Sequence, residues 1–249
     1  MDLRASYTRD IAPDIELPDY WLDETEPLLG KQRRLTPHKA LPIDAEIYDT
    51  FAQRALSVYE RLRKATAEVK RHTATSASST LDVPLHVMVV IHELLSIRLP
   101  TKALRPAPPM AFAIEAWRLG MLLFMAPIYR FYGVHPIYMD KLVQKIYRLR
   151  LVWTMWGHWD PQSRTLLTWM LFMAAFEAEE CEASEIRSWC ADVLVSISKQ
   201  FVGPSDGQAL LVEAKSVLWV PELLDSKATV FVNDIEERRS AASPDTQDT

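Results

Sequence analysis

The residues of this sequence best suited to chemistry are four closely spaced carboxylates, Glu177, Glu179, Glu180 and Glu182, together with six scattered histidines. Carboxylates that converge can hold Mg²⁺ or Mn²⁺ through their oxygens. Helical carboxylate-bridged metal centres demand more: a Glu-x-x-His pair on each of two helices and a further Glu from two others. No Glu-x-x-His occurs here, and His92 and Glu93 are adjacent rather than three apart. Aspartate-rich Mg²⁺ motifs have no counterpart either, because the run from Glu177 to Glu182 contains no aspartate. Standing where an apolar helix pattern ends, that run reads as a solvated acidic turn. The expectation is no metal and no cofactor.

Nucleophilic chemistry has no better handle. A glycine-rich phosphate loop is absent, and the chain has only six glycines. His86 and His92 are six apart, so they do not stack on one helix face, and His135 precedes Pro136 in a loop. Cys181 and Cys190 are too few for a disulfide framework or a closed cysteine zinc site, and read as reduced, intracellular residues. No catalytic residue is assigned. One grouping does suit a small amphipathic ligand: Arg118 with Trp153, Trp156 and His158, a charge and aromatics near helix ends. The competing reading packs His158 in a loop between Trp156 and Trp159.

The charge balance narrows the partners. A net charge of -5 and a pI near 5.7 provide no global positive field for nucleic acid. Lys141, Lys145, Arg148 and Arg150 form the best basic surface, and they read as the wet face of an amphipathic helix. Met1 to Arg4 shows no basic start followed by an apolar core, so no secretory leader is expected. The longest apolar run, Leu166 to Phe176, is shorter than the roughly 20 residues a bilayer requires. It reads instead as a helix buried on most sides.

The elements that must position these residues are helices. Composition is 49% hydrophobic and 24% charged, with Leu, Ala, Met, Arg and Glu dominating the middle of the chain. The expected fold is all-α, a single domain of about seven or eight helices over residues 43–239. An extended, proline-interrupted arm (residues 1–42) precedes it, and a disordered polar tail (residues 240–249) follows. Ile47, Phe51, Val58, Leu62 and Val69 mark a first helix from about Ile43 to Val69, followed by a polar linker from His72 to Thr80. A second is expected from Leu85 to about Leu99. A third runs from Met110 to Met125, kinks at Pro127, continues to Tyr132 and ends at Gly133. The fourth follows Pro136 with Tyr138, Leu142, Ile146, Leu149 and Trp153 inward. Asp160-Pro161 then caps the central helix. Three more carry Ile186 to Phe201, Leu210 to Leu218, and Leu224 to Ile235.

The order of motifs over residues 110–220 resembles the C-terminal regulatory domain of fungal zinc-cluster transcription factors. The family's Glu-x-x-Arg-Leu-x-x-Leu-Leu helix is matched by Glu115-Ala116-Trp117-Arg118-Leu119-Gly120-Met121-Leu122-Leu123. Its Leu-Trp-x-Leu-Phe helix ending in Glu-Ala is matched by Leu167 to Ala178, with Thr168 inserted. An Arg-Trp opening to the next helix is matched by Arg187 and Trp189, and a late Leu-Trp by Leu218-Trp219. The resemblance covers a little under half the chain. It implies an all-α domain that regulates transcription in a nucleus by binding a small-molecule effector, by self-association or by masking an activation segment, with a protein partner or a homodimer as the expected assembly. The family reads DNA with six cysteines around two zinc ions, and this chain has two cysteines, so no direct DNA contact carries over. No membrane association is expected. Beside this non-enzymatic reading stand two others: an all-α enzyme of secondary metabolism, using the acidic run with His158, and a helical interaction scaffold, either of them cytoplasmic.

Overall fold

The computed structural model describes residues 45–74, 85–97, 109–134, 139–149, 161–201 and 207–241. Among the described residues the chain forms eight α-helices: α1 (Ala45–Ala74), α2 (Leu85–Ser96), α3 (Pro109–Phe131), α4 (Met139–Arg148), α5 (Pro161–Glu180), α6 (Ser184–Phe201), α7 (Gly207–Lys215) and α8 (Pro221–Ala241). The all-α expectation holds. The N-terminal arm (residues 1–42), Asp160, Gly203-Pro204 and residues 242–249 of the tail lie outside the described residues.

Helix α1 buries Ala55, Val58, Leu62, Ala65 and Val69, a stripe at alternating spacings of three and four. It runs past its expected end, so that His72 to Ala74 are helical rather than linker. Tertiary partners account for the extension. The His72 ring meets the Tyr132 hydroxyl at 3.3 Å, and the Thr73 hydroxyl bonds Lys70 O and the Glu222 carboxylate on α8. Helix α2 stops at Ser96, short of Leu99, with the Ser96 hydroxyl donating back to His92 O.

Helix α3 carries Pro127 in its interior and still continues to Phe131. It closes in a Schellman motif, in which Val134 N donates to Tyr129 O and Gly133 N to Arg130 O, each at 2.9 Å. Gly133 occupies the left-handed position there, at φ 73°. The same pair of bonds ends α5, from Ala183 N to Ala178 O and from Glu182 N to Glu179 O, but the left-handed residue is Glu182 at φ 56°. A side chain in that region costs roughly 1–2 kcal/mol. Helix α7 ends at Lys215, leaving Leu218 in the turn to α8, where its carbonyl accepts a bond from Trp169 Nε1 at 2.8 Å.

Helix α5 is the centre of the bundle. Every residue from Leu167 to Ala178 is buried, and α3, α4, α6, α7 and α8 all pack against it. Close approach to α3 depends on Gly120, where a Cβ would come to 2.8 Å from Met170 Cγ and 3.1 Å from a ring carbon of Trp169. On its other side Phe172 and Phe176 meet Trp219 and Phe231 edge-on, with centroids 5.4–6.4 Å apart. One continuous apolar cluster extends from Val58 on α1 to Ile235 on α8.

Two substitutions check this account in urea melts. Gly120→Val forces α3 off α5 and lowers stability by about 3 kcal/mol, since overpacking outweighs the helix propensity gained. Glu182→Gly relieves the left-handed position and raises stability by about 0.5–1 kcal/mol, net of the flexibility glycine adds to the unfolded chain.

Candidate functional site

Glu179, Glu180 and Glu182 of the acidic run are exposed, as a solvated turn requires, and Glu177 is not. Glu177 is 1% exposed, a correction to the expected solvated turn. It lies on the helical stripe of Met170 and Ala174, seven and three residues earlier, and so faces inward with the apolar run. Arg130, near the end of α3, meets it with two guanidinium nitrogens, Nη1 at 2.9 Å from Oε1 and Nη2 on Oε2. Glu180, one turn on, takes Lys227 of α8 and lies 3.9 Å from Arg130 Nε. Glu179 points the other way, 4.0 Å from Arg187 Nε on α6.

From Arg187 the charges continue across α6 and α8. Its Nη1 lies 2.6 Å from Asp234 Oδ2, and its guanidinium sits over the Phe231 ring at 5.3 Å. Asp234 also holds Arg238, which reaches Asp192 and the Ser188 hydroxyl at 2.9 Å. Glu177 and Glu179 are thus held by different cations, Glu180 by Lys227 beside Arg130, and Glu182 is exposed in its turn. His158 lies outside the described residues. Among the described residues no group of three or more His, Cys, Asp or Glu side chains is arranged to hold a metal ion.

Burial pushes the Glu177 carboxyl above its ordinary pKa, against the downward pull of Arg130 and Lys227. Glu180, half-exposed, is held below its ordinary value by the Lys227 bond. Partial burial, with Glu177 and Asp140 adding to it, pushes the Cys181 thiol up to about 11. Full burial raises Cys190 as well, so neither thiol is poised as a thiolate near neutrality.

Arg118 is in the core, 2% exposed. Its Nε and Nη2 donate to the two oxygens of Glu115 at 2.8 and 2.7 Å, and Nη1 reaches Leu94 O in the last turn of α2 at 3.4 Å. This fork ties α3 to the end of α2. Trp153, Trp156 and His158, its expected companions, lie outside the described residues. On α4, Lys141 and Arg148 are exposed and Lys145 is half-buried, opposite the buried Met139, Leu142, Val143 and Ile146; Arg150 lies outside the described residues.

A second polar cluster was less legible. Arg61 of α1 and Glu93 of α2, both buried, pair at 3.0 Å. Nearby on α1, Glu68 pairs with Arg71 and lies 3.9 Å from His72 Nε2. His86, in the first turn of α2, is buried. Arg61 lies on the apolar stripe of α1, three residues after Val58 and four before Ala65, and Glu68, three after Ala65, is half-buried at its edge. Gly203-Pro204-Ser205-Asp206-Gly207 matches the Gly-x-Ser-x-Gly spacing, a correction to the expectation that no such elbow occurs. A nucleophile elbow turns from a strand into a helix. This segment joins α6 to α7, and residues 202–206 lie outside the described residues.

Among the described residues no helix is long and apolar enough to cross a membrane. Compared with protein-family models, curated proteins and solved structures, the chain matches none. The resemblance to the fungal regulatory domains therefore rests on the order of the quoted motifs.

The Arg130–Glu177 pair has a measurable signature. Removing one partner strands a buried charge, whereas an apolar pair needs no partner. Arg130→Met leaves the buried Glu177 carboxylate without that partner and is expected to lower stability by about 3–5 kcal/mol. Adding Glu177→Leu recovers most of that loss in a double-mutant cycle read by chemical denaturation.

Proposed function

We propose that this chain is a non-enzymatic helical regulatory module, similar to the regulatory domains of fungal zinc-cluster transcription factors, acting in the nucleus through an effector or protein partner. The observation that carries this reading is that the motifs behind the resemblance pack on one another. Gly120, inside the first motif, receives Trp169 and Met170 of the second. Trp169 bonds the carbonyl of Leu218, and Trp219 beside it meets Phe172 and Phe176. Arg187, from the third, reaches back to Glu179 and across to Asp234. An order along the chain is thus an order of packing around α5.

A regulatory role asks for a bundle whose helix packing an outside molecule can bias, by binding one arrangement better than another. Ion pairs that link α5 to α8 and α6 to α8 are suited to this. They join whole helices and, being partly exposed, each contributes little. The pairing of Glu177, Glu179 and Glu180 with cations lends no support to a divalent-metal enzyme built on that run.

The test is a fusion of the full chain to a heterologous DNA-binding domain, read on a nuclear reporter. The expected outcome is a several-fold activation or repression over the DNA-binding domain alone, abolished by Gly120→Val. A soluble, folded fusion that leaves the reporter unchanged counts against the proposal.

A further inference from the structure

The last turn of α1, the first turn of α2 and the end of α3 meet at one corner of the bundle. The charged and titratable groups acting on the His86 ring there are Glu68 and His72 of α1; Arg71 pairs with Glu68, and Tyr132 at the end of α3 meets His72. His86 is 9% exposed, and its Nε2 has no hydrogen-bond partner among the described residues. Glu68, the carboxylate acting on this ring, is already shared between Arg71 and His72. Tyr132 is engaged by the other nitrogen of His72. A neutral imidazole tolerates one unpartnered nitrogen in such a place. An imidazolium does not: it would be desolvated, without an acceptor, and in the first turn of a helix, where the backbone N–H groups already present positive charge.

We propose that His86 is a proton-operated latch, which holds the start of α2 against α1 and α3 when neutral and releases it when protonated. The remaining helices stay packed around α5. Helix α2 is suited to separate release because its principal neighbours are α1 and α3, whereas α5 is held by five helices. Release exposes Val87, Val90, Ile91 and Leu94, all buried in the closed corner. Burial lowers the pKa of His86 below its ordinary value; Glu68 pulls the other way and His72 reinforces the lowering. The closed corner therefore disfavours the proton relative to the open one. Its stability is complete above the ordinary histidine pKa of about 6.5 and is lost progressively as pH falls below it. This inference stands apart from the regulatory reading and does not depend on it.

The experiment combines a histidine ring titration by NMR with amide hydrogen exchange on the full chain between pH 7.5 and 5. The expected result has the His86 ring titrating below about 6.5, with α2 amides losing up to about tenfold protection per pH unit beneath that value, corrected for intrinsic exchange. Amides of α5 keep theirs. His86→Leu abolishes the acid loss in α2, and His72→Gln retains it. The latch is overturned if His86 titrates at or above about 6.5, if His86→Leu opens in acid as the parent does, or if α2 and α5 lose protection together. Should His86→Leu fail to fold, the ring titration and the α2-against-α5 comparison in the parent chain decide the question.

Discussion

A helix surrounded on most sides can be built into a protein only where its neighbours come close enough to exclude water and nearly every polar group it buries finds a partner inside. Helix α5 imposes both conditions on this bundle. The first is met at Gly120, where the absence of a Cβ lets α3 settle onto Trp169 and Met170. It is met again by the aromatic group of Phe172, Phe176, Trp219 and Phe231, whose edge-on contacts fill the space between α5, α8 and the turn before α8. The second is met for Trp169 by Leu218 O and for Glu177 by Arg130. It is not met at Thr168, a fully buried hydroxyl without a partner among the described residues.

The charges of the molecule follow from the same condition. Where helices α3, α5, α6 and α8 leave the core, their ionic groups pair between helices: Glu180 with Lys227, Arg187 with Asp234, Arg238 with Asp192. Most of these pairs are partly exposed and contribute little individually. The pairs with a buried member act differently: Arg61–Glu93, buried on both sides, and Arg130–Glu177, of which the carboxylate is buried. Desolvation offsets much of their attraction, so they specify which helices meet more than they add stability. At the corner around His86, the Glu68 carboxylate pairs with Arg71 and lies near His72, and His86 Nε2 has no partner among the described residues.

The proposed regulatory role and the proposed latch draw on different parts of the bundle. The motifs behind the family resemblance surround α5 and make the rigid centre. Helix α2 lies away from that centre, between α1 and α3, and takes no part in the resemblance. A molecule with a firmly packed core and a peripheral helix held by a neutral histidine has two elements of unequal stability, which is what local opening requires.

Residue types and spacings alone determined the number and kind of elements. Apolar stripes at three and four, the proline at the head of α5 and α8, and Gly133 after α3 are local signals, because a helix needs only its own backbone bonds and one apolar face. The reading of α5 as the central helix was equally legible, since a run from Leu167 to Phe176 leaves no face for water. Tertiary structure alone decided which charges are inside. Glu177 and Glu179 are the same residue type two positions apart, and a turn of about 200° separates buried from exposed. It also decided that α1 continues through His72, because the partners that hold its last turn, Tyr132 and Glu222, lie 60 and 149 residues away. Pairings at that separation depend on how the helices dock, which no local pattern encodes.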